Sequence, residues 1–138
     1  MNHVPERQMS PHLAALRCLF LLGLHHGVQI APEKLAQADD ADTLGSILRV
    51  MREVGLRGKL LKNRTWDDLI SLGSAYPVMA ERKSGSWVIV ASAVPTNDGQ
   101  VTIAVLDPVV EQTGITLVQR EEFEDSWSGR LLLCKRTF

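Results

Sequence analysis

The chain reads as an α+β fold, with helices first and antiparallel strands after. Three observations predict this. Between Pro11 and Val54 apolar side chains recur at helical spacing and are punctuated by helix caps. From Tyr76 onward the pattern changes to short runs rich in β-branched residues. Lys83-Ser84-Gly85-Ser86 and Asn97-Asp98-Gly99 separate those runs, and turns of that kind join antiparallel neighbours. Helices followed by strands, without alternation of the two, predict helices packed on one side of an antiparallel sheet.

Ser10-Pro11 opens the first helix: a hydroxyl cap, then proline where its missing N–H costs nothing. The helix runs to His26. Leu13, Leu16, Leu19, Phe20, Leu21, Leu22 and Leu24 cover nearly every face of it, which predicts a central, buried helix. Pro32-Glu33-Lys34-Leu35 opens a short second helix. Asp42-Thr43 caps a third, in which Leu44, Ile47, Leu48, Met51 and Val54 keep the period until Gly55 stops it. Leu56–Leu61 is extended. Thr65-x-x-Asp68 resembles a capping box for a helix of one or two turns carrying Leu69, Ile70 and Leu72. Pro77–Glu81, Trp87–Ala93 and Val101–Leu106 are strands, the last ending at Asp107-Pro108. Ile115–Gln119 is short and extended, Glu121–Trp127 is a helical turn, and Arg130–Lys135 closes the sheet. Residues 1–9 are polar and expected to be loose. Without repeats, low-complexity segments or a linker, residues 1–138 are expected to form one domain.

Composition narrows the function. Apolar residues make up 45% of the chain and charged residues 22%, the balance of a chain with a packed core. A net charge of −1 gives no global pull toward nucleic acid or an anionic membrane. Basic residues are scattered, without an aromatic stacking platform, so no nucleic-acid partner is expected. The most apolar stretch, Leu13 to Leu24, contains Arg17 and falls short of the roughly 20 residues a spanning helix needs. Acidic Glu6 before it, with no basic cluster and no small-residue cleavage site, argues against a signal peptide. Cys18 and Cys134 lie far apart in apolar runs and read as buried free thiols, which fits the cytosol.

Little catalytic chemistry is visible in the residues themselves. His3, His12, His25 and His26 all precede Gly27, with no cysteine or carboxylate cluster at ligand spacing, so no metal is expected. His25 and His26 are expected to point to different sides of a helix end, where positive charge is mildly favoured. Gly45, Gly55 and Gly73 stand alone, so no phosphate loop forms and no cofactor is expected. Cys18 as a nucleophile would need a base and an orienting group for that base. No histidine follows His26, and His25 on the same buried helix makes no cleft with Cys18. A buried core thiol is the plainer reading. Asp107, on spacing alone, is a turn residue ending a strand.

Several strings, taken in order, resemble the double-glycine peptidase domain, cysteine peptidase family 39. Domains of this kind stand at the amino terminus of bacteriocin and type I secretion ABC transporters. Active members carry a glutamine, then the nucleophile in an Asp-Cys-Gly string opening a helix, then a second, non-catalytic cysteine. Gln8 matches the glutamine and Cys18 the second cysteine, which puts Ala14 at the nucleophile position, flanked by Leu13 and Ala15. The run His26-Gly27-Val28-x-Ile30-x-Pro32-Glu33-x-Leu35 resembles the stretch after the family's first helix. The family's histidine begins a strand after a Pro-apolar-apolar strand and a turn. Here Pro77-Val78-Met79-Ala80 and the turn at Gly85 put Trp87 in its place. The Asp-Pro string that supplies the third member matches Asp107-Pro108. Glu121-Glu122-Phe123 and Trp127-Ser128-Gly129-Arg130 resemble the closing helix and final strand.

The resemblance implies a papain-like fold, and the departures from it imply no peptidase activity. Alanine has no nucleophile, and the indole N–H of tryptophan only donates. Gln8, an oxyanion donor in active members, would have nothing to stabilise. Degenerate domains of this type occur in transporters of repeat-in-toxin proteins such as the haemolysin system, although the haemolysin type keeps the histidine. The role implied by the resemblance is that of an inactive domain that binds or positions an unfolded export substrate, a toxin or adhesin. Its partners would be that substrate and the rest of the transporter, on the cytoplasmic side of the bacterial inner membrane. ATP and magnesium would belong to the full-length transporter. A chain that starts at Met1 and ends just after a strand suits an excised terminal domain. Trp87 and Asp107 are the substrate-binding candidates, with Trp87 expected to pack toward Ala14. Two other readings stand beside this one: an active double-glycine leader peptidase, and a free-standing peptide-binding adaptor.

Overall fold

The computed structural model describes residues 10–108 and 114–137. Among them five α-helices, α1 (Pro11–His25), α2 (Pro32–Ala36), α3 (Thr43–Glu53), α4 (Trp66–Ile70) and α5 (Arg120–Ser126), accompany six strands. The strands are β1 (Leu56–Leu61), β2 (Val78–Arg82), β3 (Trp87–Pro95), β4 (Val101–Leu106), β5 (Thr116–Val118) and β6 (Trp127–Arg136). They form a single sheet in the order β1-β6-β2-β3-β4-β5, every pairing antiparallel. The last strand therefore inserts between the first two.

The caps read from sequence form. Ser10 accepts from the Leu13 N–H at 3.1 Å, and Asp42 accepts from the Gly45 N–H at 3.1 Å. Thr65 and Asp68 close a reciprocal capping box, with bonds of 2.9 and 3.2 Å. Each satisfies backbone donors that a helix start otherwise leaves open.

The core lies on both faces of the sheet, which differs from the expected one-sided arrangement of helices. On one face Met79, Trp87, Ile89, Leu132 and Cys134 meet Leu19 and Leu22 of α1 and Ile47, Val50 and Met51 of α3. On the other, Val78, Ala80, Val88, Val90, Val105 and Leu131 meet Trp66 and Leu69 of α4 and Phe123 of α5. The physical reason is written in β3. Trp87-Val88-Ile89-Val90 has no polar alternation, and a strand covered on both faces needs none.

Helix α1 is central but is not enclosed on every side. Leu13 and Leu24 are 49% and 46% exposed, and Arg17 between them is also exposed. A helix in a layer packed on a sheet has one covered flank and one outer strip, so its outer leucines meet solvent. No helix among the described residues is long and apolar enough to cross a membrane.

At Gly23, near the end of α1, the following loop turns back tightly. The Val28 N–H donates to the Gly23 carbonyl at 2.7 Å. A Cβ on Gly23 would lie 2.9 Å from the Val28 carbonyl oxygen and 3.1 Å from Ile30 Cδ1. Alanine gains up to about 1 kcal/mol in helix propensity, and overpacking costs about 1–3 kcal/mol. Gly23→Ala is therefore expected to lower stability by up to about 2 kcal/mol in urea unfolding. A variant more stable than the parent would show that this loop yields freely.

Candidate functional site

The candidate residues converge where the first turns of α1 face the beginning of β3. Ser10 and Pro11 fix the helix start, and the His12 ring meets the Thr43 hydroxyl at 2.7 Å, tying α1 to the start of α3. So held, Ala14 and Cys18 lie one turn apart on the same helix face, both fully buried. Trp87, the first residue of β3, belongs to the same buried cluster as Ala15, Cys18 and Leu19. It is only 3% exposed. The ring of Trp87, a candidate substrate contact, is therefore part of the core. Gln8 lies outside the described residues.

Asp107 comes one residue after Leu106, which pairs with Ile89, so the register delivers its carboxylate beside the start of β3. There it meets a group that the sequence alone did not single out. The guanidinium of Arg82 approaches Asp107 Oδ2 at 2.9 Å, with side chains 33% and 20% exposed. Arg82 ends β2, and β3 lies between β2 and β4. The ion pair therefore reaches across the strand that Trp87 begins. Arg82 is held in place by its own N–H, which donates to the Ser86 carbonyl at 2.7 Å across the β2–β3 turn. Nearby, the Arg17 guanidinium donates to the Pro108 carbonyl at 3.0 Å, fastening the end of β4 to α1. A strand-terminal arginine two strands from a strand-terminal aspartate was the available signal, but it needed the strand order to be read.

This arrangement disfavours thiol chemistry. Burial pushes the Cys18 thiol far above the usual cysteine range, and the charge of Asp107 pushes it further, with Arg82 opposing. Reactive cysteines need the reverse, a thiolate favoured by its surroundings. Cys134 is also buried, and burial raises its pKa to about 11. The group that meets Asp107 is a guanidinium, which carries five donors and cannot accept a proton.

The histidine pair at the end of α1 differs from expectation. The rings of His25 and His26 meet edge to face, with centroids 5.1 Å apart. Burial lowers the His26 pKa, the charge of His25 lowers it further, and Arg136 acts the same way against the backbone of Cys134. The helix end therefore does not favour a charged His26.

With this geometry in place, a sequence model of the peptidase C39 family matches residues 3–138. The chain belongs to this family. Similar C39 structures include a double-glycine motif protease from an AMS/PCAT transporter in complex with the leader peptide. It shares 19% identity and a TM-score of 0.74, over 94% of this chain and 89% of that one. The N-terminal peptidase C39-like domain of a toxin secretion ATP-binding protein from Vibrio parahaemolyticus is 20% identical, with a TM-score of 0.71 over 94% and 99%. The peptidase domain of Streptococcus ComA, a bifunctional ABC transporter in a quorum-sensing pathway, is 15% identical, with a TM-score of 0.70 over 94% and 95%. At these identities the likeness establishes a shared papain-like fold. No curated protein sequence matches the chain.

Trp87 is the residue of this C39 domain whose removal should be felt most at the site. Deleting a buried indole costs about 3–5 kcal/mol. Trp87→Ala is expected to lose that much stability in urea unfolding followed by circular dichroism. A loss below about 1 kcal/mol would mean that the ring does not fill the core.

Proposed function

We propose that this C39 domain performs no peptide-bond chemistry and instead holds an extended segment of a protein exported by a type I secretion ABC transporter. The observation that supports this reading best is the environment of Cys18 and Asp107. The one cysteine near the site is driven toward the protonated thiol, and the carboxylate matched to the family's third member is engaged by Arg82. Ala14 and Trp87, matched to nucleophile and base, supply neither. A residual function then has to rest on binding.

Binding suits the fold. The leader-bound AMS/PCAT protease is a similar structure, and a helix–sheet fold that accommodates an extended peptide need not lose that capacity with its catalytic groups. Trp87 would act as the wall behind the site, and the partly exposed Arg82–Asp107 pair would present polar groups to the chain. An extended ligand is recognised by main-chain hydrogen bonds with side chains in alternate pockets. Ordering an unfolded chain costs entropy, so affinity is expected to be micromolar or weaker. On this reading the partners are the unfolded export substrate and the remaining parts of the transporter, and the domain works at the cytoplasmic face of the inner membrane.

Titrating the isotope-labelled domain with an unfolded carboxy-terminal fragment of the cognate secreted protein tests the proposal by NMR. Shifts should gather around Arg82, Asp107 and the start of β3, and the folded form of the fragment should bind much more weakly. Equal binding of both forms would refute the holding role.

A further inference from the structure

A second surface, at the other end of α1, is built unlike the rest of the sheet. In the β1–β6 pairing Arg57 lies opposite Lys135, and Lys59 lies opposite Leu133. Opposed residues share a face, as do Arg57 and Lys59, two apart on one strand. Three cations therefore crowd one face, and like charges directly opposed destabilise a sheet. Ion pairs hold Lys34, Arg49, Arg82, Arg120 and Arg130 elsewhere. Among the described residues, no carboxylate holds Arg57, Lys59 or Lys135.

The same face borders a groove of about 480 Å³, lined by those three cations together with Leu133, Tyr76 and His26 among others, and by no aspartate or glutamate. That volume lies within the range of ligand sites. The Tyr76 hydroxyl donates to the Leu69 carbonyl, so the ring is anchored. His26 Nε2 is buried and meets no hydrogen-bond partner among the described residues.

We propose that this groove binds an acidic segment of an extended polypeptide, its carboxylates against Arg57, Lys59 and Lys135 and an apolar side chain against Leu133 and Tyr76. Charges on an outer strand commonly guard it against edge pairing. That accounts for Arg57 and Lys59 but not for Lys135, which sits on the inner strand β6. Alternate positions on β1 are about 7 Å apart, and alternate side chains of an extended peptide repeat at the same interval. A small inorganic anion would answer the charge and leave Leu133 and Tyr76 uncovered. A flat membrane surface would not enter a groove. The surface is distinct from the Asp107 site: His26 follows Ala14 by about 18 Å along the axis of α1. The proposal goes beyond the holding role and does not require it.

The test is an NMR titration of the labelled 1–138 chain with a twelve-residue peptide of repeated Glu-Leu-Glu-Ser. Its counterpart with lysine for every glutamate, inorganic phosphate, and phosphatidylglycerol vesicles are run in parallel. The acidic peptide should shift the amides of Arg57, Lys59, Tyr76 and Lys135 and the ring of His26, while the lysine peptide leaves them unchanged. Lys59→Glu combined with Lys135→Glu should weaken binding about tenfold or more, with amides near Asp107 unmoved. If that variant fails to fold, Lys59→Gln and Lys135→Gln singly should each weaken binding and leave it less salt-dependent than the parent's. Phosphate binding as tightly as the peptide at the same residues would overturn the proposal in favour of a small-anion site. Vesicle binding without peptide binding would overturn it in favour of a membrane surface, and no shift from any probe would overturn it outright. None of these outcomes bears on shifts near Asp107 caused by an export-substrate fragment, so the two proposals fail separately.

Discussion

Helix α1 packs against the sheet through Ala15, Cys18, Leu19 and Leu22, all essentially without exposed surface, and its chief neighbour there is β3. Small residues in the first turns let the helix axis approach the strand, and a large aromatic at the start of that strand shares the resulting core. Close packing of this kind leaves little freedom, because interiors are filled to near-crystalline density. The rest of the site depends on it. Cys18 is held in an apolar setting, and Asp107 is brought to the rim of the same contact.

Electrostatics then complete what packing began. A carboxylate next to a buried thiol makes that thiol harder to ionise, and only a cation beside it restrains the effect. Arg82 supplies that cation from a strand that does not touch β4. Its reach across β3 satisfies Asp107 without offering a base. An ion pair and an indole stand around the thiol, and the proposed loss of peptidase chemistry rests on that arrangement. The domain keeps the framework of its family while the groups at its centre are suited to packing and polar contact.

Much of the fold was legible in the sequence because it is decided locally. Ser10, Asp42, Thr65 and Asp68 each bond to a backbone N–H within three residues, so their caps can be read directly. The strand boundaries are set by turn residues in the same way. The features that were not legible depend on partners distant in sequence. Coverage of both faces of the sheet becomes evident only when Trp66 and Phe123 are seen to meet Val88 and Val90 across it. The outer strip of α1 reads as apolar as its inner face, and only the layer arrangement exposes Leu13 and Leu24. Asp107 was singled out through the resemblance, but Arg82 was not, since their meeting requires the strand order. The cations on β1 and β6 likewise looked scattered until the register set Arg57 opposite Lys135.

The claim that this C39 domain acts without chemistry can be tested most directly by incubating it with a double-glycine leader peptide and following the peptide by mass spectrometry under reducing conditions. The account predicts an intact peptide over times in which an active family member cleaves it completely. Cleavage after the double glycine that disappears in Cys18→Ser would contradict it, since the buried thiol would then be the nucleophile.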